Sequence, residues 1–275
     1  MSNYREFTIA IAREAGTFLK ERLGETLAVK YKGEIDIVTE VDRMSEEMLI
    51  SRIDKKFPHH DILAEESAGT DRGSEFRWII DPLDGTTNYA HGYPVFCVSI
   101  ALEKENEIIL GVIYNPVMEE MFVAEKGEGA FLNGERISVS DTTELSRSLL
   151  ATGFPYDIRE NPDNNLNYFN EMATKVMAIR RAGSAALDLA YIAAGRFDGF
   201  WELRLNPWDT AAGWLLVEEA GGLVTEIFGK DYCLKSPHIL ATNRKIHGKM
   251  IDVLRTGAEN VFFHRRHSTK DQTDR

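Results

Sequence analysis

The chain has 275 residues, of which 43% are hydrophobic and 10% aromatic, and it carries a net charge of −12 at neutral pH. A chain of this length buries roughly three-quarters of the surface its unfolded form exposes, so it needs neither disulfides nor a structural metal, and its composition excludes a disordered chain. The acidic balance argues against nucleic acid as a partner, because broad affinity there comes from Lys and Arg neutralising phosphates. Any phosphate chemistry must instead lean on bound cations, which become the largest local charges wherever carboxylates cluster.

Phe7, Ile11, Ala15, Phe18 and Leu19 recur at helical spacing and Gly24 follows as a stop, which predicts a first helix. Met44, Met48, Leu49, Ile53 and Phe57 predict a second over Val41 to Phe57, closed by Pro58. Strands are expected at Asp61 to Ala64, Arg77 to Asp81, Val95 to Leu102, Glu107 to Tyr114, Met118 to Ala124 and Ala130 to Leu132, forming an antiparallel sheet.

After about residue 140 strands and helices alternate. Strands are expected at Ser148 to Thr152, Val176 to Ile179, Gly199 to Glu202 and Leu223 to Thr225, and helices at Asn164 to Lys175, Ser184 to Ala194, Pro207 to Ala220 and Arg244 to Arg255. This gives one domain, residues 1–258, in two lobes that meet near residue 139, followed by a flexible polar and basic tail over 259–275. Cys97 and Cys233 lack Cys-x-x-Cys spacing and read as buried free thiols of a reducing compartment. With no signal-peptide pattern and no apolar run of membrane length, a cytoplasmic protein that does not engage the membrane is expected.

Four places carry candidate chemistry. The run Trp78-Ile79-Ile80-Asp81-Pro82-Leu83-Asp84-Gly85-Thr86-Thr87 ends an apolar strand in two carboxylates, a proline, a glycine and two hydroxyls. There Gly85 lets the backbone approach an anion, although an ordinary Asp-Gly turn has the same composition. Glu65-Glu66 closes another strand, and in an extended segment only one of the two can join a given site. Asp209, after Trp208, opens a helix, where it could equally serve the helix dipole. Asp42 or Thr39, in the segment that begins at Lys32, could simply cap the second helix. Together the four form an all-oxygen set without zinc-type Cys or His spacing, which suits a hard cation such as magnesium.

These elements, with Trp208-Asp209-Thr210-Ala211-Ala212-Gly213 and Gly183-Ser184-Ala185-Ala186, resemble the inositol monophosphatase family in content and order, over residues 4 to 256. The resemblance implies a layered α/β/α/β/α sandwich, a homodimer, lithium inhibition, and about two to three Mg2+ ions, with Mn2+ as a substitute. Carried over by position, it assigns the metal to Glu65, Asp81, the Leu83 carbonyl, Asp84 and Asp209. It gives catalysis to Glu65 and Thr86 acting on a metal-activated water, with Asp42 supporting Thr86. Substrate contacts fall to Gly85, Thr86, Arg180, Gly183, Ser184, Ala185, Glu202 and Asp209.

The implied reaction is hydrolysis of a small phosphorylated polyol or sugar, with myo-inositol monophosphate first. Fructose 1,6-bisphosphate, adenosine 3′,5′-bisphosphate and histidinol phosphate are the alternative substrates. A regulatory protein that binds RNA or the transcription machinery is the alternative from another class. Thr87-Asn88-Tyr89 resembles the inositol phosphate branch, and Leu203-Arg204-Leu205-Asn206-Pro207 resembles bacterial and archaeal members. On the residues alone, Arg180-Arg181 is a solvated basic pair, Lys32 a surface group or a partner of a site carboxylate, and His91 a structural or surface histidine left out of the site.

Overall fold

The structure is a computed structural model that describes residues 2–24, 29–31, 37–67 and 69–268. The first two apolar stripes wind into α1 (Ser2–Arg22) and α2 (Glu40–Lys56), the latter stopping just short of Pro58. Between them β1 (Val29–Tyr31) and β2 (Ile37–Thr39) pair antiparallel, where the sequence predicts no strand. Lys32, with the rest of 32–36, lies outside the described residues.

There follow β3 (Asp61–Ala64), β4 (Phe76–Asp84), the short helix α3 (Thr86–Ala90), β5 (Cys97–Lys104), β6 (Glu107–Asn115), β7 (Glu120–Glu125), β8 (Gly129–Leu132) and β9 (Glu135–Ile137). The seven strands form one sheet in sequence order. The expected antiparallel sheet needs one correction, since β3 and β4 run parallel. The cause is the return loop between them. The Asp61 carboxylate accepts from Arg72 N (2.6 Å) and Ser74 N (3.2 Å), folding the loop back along its own strand so that β4 starts beside β3.

The second lobe contains β10 (Leu149–Thr152), α4 (Leu166–Ala173), β11 (Ala178–Arg180), α5 (Ala185–Ala193), β12 (Gly199–Leu203), α6 (Pro207–Glu219), β13 (Leu223–Thr225), β14 (His238–Thr242) and α7 (His247–Ser268). Its sheet has the order β11-β10-β12-β14-β13, with β10 parallel to β11 and β12, and β14 antiparallel to both its neighbours. β14 was not anticipated, and α7 continues past Arg255, where the sequence places its end.

Helices α1 and α2 cover one face of the seven-stranded sheet, α5 and α6 lie between the two sheets, and α4 and α7 cover the outer face of the second. This is the layered α/β/α/β/α sandwich. Along β4 and β5 alternate residues serve different cores: Ile79, Cys97 and Ala101 face the α5/α6 layer, and Trp78, Ile80, Val98 and Ile100 face α1 and α2. Cys97 is buried as expected, whereas Cys233 is exposed in the turn after β13, beside Ser236. No helix among the described residues is long and apolar enough to cross a membrane.

Candidate active site

Asp81 and Asp84 are three residues apart on β4, so in a regular strand they would point to opposite faces. They do not, because the register against β5 slips: Asp81 pairs with Ser99 and Asp84 with Cys97, leaving one extra residue on β4. Such a bulge accommodates Pro82, which has no N–H for the ladder. It also reverses the alternation beyond it. Leu83 joins the core under α1 and α2, and both aspartates face the layer between the sheets. The parallel pairing of β3 with β4 sets Ala64 opposite Ile80 and so delivers Glu65 beside Asp81.

The rest of the cradle is built by hydrogen bonds. Leu83 N donates to Asp81 Oδ1 (3.0 Å), and Ser45 Oγ of α2 donates to the Pro82 carbonyl (3.1 Å). Glu46, buried on the same helix, accepts from Glu66 N (2.8 Å) and holds the loop that carries Glu65. Asp84 Oδ2 accepts from Ser184 Oγ (2.6 Å) and Ala186 N (2.7 Å), docking the start of α5 onto the end of β4. Asp209, in the first turn of α6, accepts from Asn206 N at 2.6 Å. The helix-end role considered for it is therefore real, and it engages only one of its two oxygens. Asp42, in contrast, lies in the first turn of α2 and receives the Thr86 hydroxyl (2.7 Å), which also reaches the Leu83 carbonyl (3.1 Å).

Gly85 adopts φ 100°, and a Cβ there would meet the Val95 carbonyl at 2.9 Å. Only glycine suits that turn. Asn88 bridges the lobes by donating to the carbonyls of Val95 (2.7 Å) and Ala182 (2.8 Å), so its place in the sequence motif has a structural reason.

A cavity of about 650 Å3 opens between the sheets. Glu65, Asp84, Gly85, Thr86, Gly183, Ser184, Ala185, Glu202 and Asp209 line it, while Asp81, Leu83 and Asp42 lie behind that wall. Arg180 departs from its expected place. It is exposed at the end of β11, and the next residue, Arg181, lines the cavity instead. Adjacent residues leaving a strand point to opposite sides, so only one of the pair can face inward. His91 is exposed at the end of α3, and sequence reasoning passed over Ser45, Glu46 and Asp188, the last a buried residue of the cavity wall.

Burial, then the charges of Glu65, Asp84 and Asp209, push the Asp81 carboxyl well above the usual carboxylate range. Asp209 is raised by burial and by Asp84 and Glu65, and Asp84 by burial against the hydrogen bonds of Ser184 and Ala186. As placed, no three acidic, His or Cys side chains among the described residues converge in a closed ligand shell. Each aspartate has one oxygen fixed by a protein donor, which leaves a crowded set of carboxylate oxygens, the donor chemistry a hard divalent cation requires. Glu65, Asp81, Asp84, Asp209 and the Leu83 carbonyl supply oxygen donors of that chemistry.

The cavity between the two sheets is thus lined by carboxylates, hydroxyls and backbone of both lobes. A model of the inositol monophosphatase family matches residues 1–258. The inositol-1-monophosphatase of Mesorhizobium japonicum is 42% identical over 250 residues, covering 90% of this chain and 94% of that one. The Nus factor SuhB of Pseudomonas aeruginosa is 46% identical over 242 residues, covering 85% and 89%. Among solved structures, the inositol monophosphatase of Anabaena (44% identity; 93% and 96% coverage) superposes with a TM-score of 0.85, and the Thermotoga maritima IMPase (39%; 95% and 100%) with 0.87. The chain belongs to the inositol monophosphatase family, whose members are generally metal-dependent phosphatases.

Proposed function

We propose that the chain is a magnesium-dependent phosphatase for small phosphorylated polyols, with myo-inositol monophosphate as its leading substrate. The observation that supports this most is that two strand ends and a helix start, distant in sequence, bring Glu65, Asp84, Thr86 and Asp209 onto one cavity wall with Asp81 behind them.

When bound, the cations supply a water of lowered pKa and stabilise charge on the departing oxygen. The chain's own groups do the rest. The Thr86 proton is engaged by Asp42 and the Leu83 carbonyl, so Thr86 Oγ1 presents lone pairs to the cavity and accepts from a water there. Glu65 shares that task as the second acceptor on the wall. The first turn of α3 offers amides without intrahelical acceptors beside Gly85, Thr86 and Thr87, suited to phosphate oxygens. At the far end Glu202 faces the remainder of the substrate, where burial pushes its carboxyl up to about 8, with Arg181 opposing and Asp84 adding to the shift.

Phosphate release from a panel containing inositol monophosphate, fructose 1,6-bisphosphate, adenosine 3′,5′-bisphosphate, histidinol phosphate and an aryl phosphate, with and without magnesium and lithium, tests the reading. Magnesium-dependent, lithium-sensitive turnover that is fastest on inositol monophosphate is expected. Turnover on none of them would overturn it. A homodimer in the cytoplasm belongs to the same proposal, and sedimentation of the purified chain checks the first part.

The Nus factor relatives support a second, compatible reading as a regulatory partner of the transcription machinery. The net charge of −12 favours a protein partner over bare RNA in that role. Pull-down of transcription proteins by both wild type and an inactive Asp81→Asn variant is the expected result.

A further inference from the structure

Asp188 lies in the first turn of α5, on the wall of the cavity, yet it is only 2% exposed. Its Oδ1 is sealed from solvent and has no hydrogen-bond partner among the described residues. A buried polar atom left in that state is costly, and an ionised one more so. The charged groups that face it come from three elements: Glu202 on β12, Asp84 at the end of β4, and Arg181 in the loop before α5. Burial, then Glu202 and Asp84, drive the Asp188 carboxyl well above its ordinary range against the single opposing charge of Arg181.

Buried and without a partner for Oδ1, the Asp188 carboxyl is favoured in its neutral form, whose one O–H needs an acceptor. Arg181 has only donors to offer. Asp84 Oδ2 already takes Ser184 Oγ and Ala186 N. Of the groups facing it, Glu202 acts on Asp188 most strongly, and its carboxyl, itself pushed up to about 8, keeps an accepting oxygen whether or not it holds a proton. Its position is confined from the other side as well, because the carboxylate lies against residue 153, where a Cβ would stand 2.0 Å from Oε1 and 2.2 Å from Oε2. Gly153 thus makes room for the Glu202 carboxyl at the end of β10, and Asp188 stands across from it in the same wall.

We propose that Asp188 is a positioning residue for substrate selection: the unpartnered carboxyl in the cavity wall donates to an oxygen of Glu202 and holds that carboxyl group toward the hydroxyls of a polyol phosphate. The inference rests on the phosphatase reading above and extends it from the phosphate end of the cavity to the polyol end. It makes selectivity the work of a pair, in which Glu202 accepts from the substrate and Asp188 fixes the direction in which it accepts.

The test is a set of steady-state kinetics on purified enzyme with magnesium, comparing wild type, Asp188→Ala, Asp188→Asn, Glu202→Ala and the Asp188→Ala/Glu202→Ala pair on inositol monophosphate and on an aryl phosphate without hydroxyls. Asp188→Ala is expected to raise KM for inositol monophosphate about tenfold, with a much smaller change on the aryl phosphate. Asp188→Asn keeps an N–H donor for Glu202 and should return KM to within about threefold of wild type. In the Glu202→Ala background, Asp188→Ala should change nothing further, the signature of two residues acting as one. Should the alanine variant not fold, Asp188→Leu fills the volume without a donor and is read in the same way.

Equal losses on both substrates, no rescue by asparagine, or a full additional loss in the Glu202→Ala background would each overturn the assignment. If wild type hydrolyses neither substrate, the phosphatase reading itself falls and takes this one with it. If wild type hydrolyses both and the variants fail the pattern, only the role of Asp188 falls.

Discussion

Thr86 has a single proton, and Asp42 takes it at 2.7 Å, so what the hydroxyl can offer the cavity is an acceptor. An acceptor that orients an attacking water matters most in the transition state. Thr86→Ala is accordingly expected to lower kcat by about two orders of magnitude while KM changes little; a loss confined to KM would reassign Thr86 to substrate binding. Asp81 permits a sharper expectation, because its ionised form is penalised by burial and by three neighbouring carboxylates. Asp81→Asn should abolish magnesium-dependent turnover and yet raise the melting temperature of the metal-free protein, since asparagine retains an oxygen for Leu83 N and removes a repelled charge. A lower melting temperature without metal would show that Asp81 holds the fold rather than the cations. Both residues were legible as candidates because their run, whose composition an ordinary Asp-Gly turn shares, occurs together with Glu65-Glu66 and Trp208-Asp209 in the order of a known family. Asp188 was not, because Gly183-Ser184-Ala185-Ala186-Leu187-Asp188-Leu189-Ala190 reads as an apolar helix with one acid in it, and its significance depends on what β12 and β4 bring against it.

At the level of elements, the strand at Asp61–Ala64 and the helix that opens at Pro207 follow from composition and turn residues, and the structure has them there. The parallel pairing of β3 with β4 and the bulge at Pro82 do not follow, because both are set by how a loop returns and by which neighbour a strand finds. β14 escaped for a related reason: His238 and Thr242 interrupt the apolar pattern at its ends, and it is the pairing on both sides that makes it a strand. The junction of β13, β14 and α7 carries its own expectation. His247, at the start of α7, lies between Thr225 Oγ1 and Thr242 Oγ1, each at 2.9 Å from a ring nitrogen, and burial together with Arg244 lowers its pKa to about 4. The unfolded chain then binds a proton near pH 6.5 that the folded chain refuses until about pH 4. Stability should fall on acidification across that window, by about 3 kcal/mol from this group, and hold steady with respect to it above pH 6.5. Urea unfolding of wild type and His247→Gln at several pH values checks this, the wild type losing more on acidification; parallel slopes would remove His247 as the cause.

For the molecule as a whole, the acidic composition and the cavity between the sheets belong to one argument. A net charge of −12 is tolerable over an open surface, where solvent and salt screen it, but the carboxylates of Glu65, Asp81, Asp84 and Asp209 are held close together and largely out of water. The folded chain without cations therefore stores repulsion at the place where both lobes meet. A ligand that binds only the folded state stabilises it by RT ln(1 + [L]/Kd), about 2.7 kcal/mol when the ligand stands at a hundred times its Kd. For a chain of this size that corresponds to a rise in melting temperature of roughly 5–10 °C. Magnesium should produce this rise and a chelator reverse it, whereas sodium chloride at matched ionic strength should not, because screening reaches the buried set poorly. The pH dependence gives the sign. Asp81 and Asp209 have folded pKa values above their unfolded ones, so without cations stability falls as pH rises through the range between the two, and acidification toward the ordinary carboxylate pKa relieves it. With magnesium the order reverses, since protons and cations compete for the same oxygens and the metal-dependent rise should shrink on acidification. Thermal melts at several pH values, with magnesium, with chelator and with matched sodium chloride, read all three expectations together. A melting temperature indifferent to magnesium at neutral pH, in protein that still turns over substrate only with magnesium, would place the cations on the substrate rather than in the cradle.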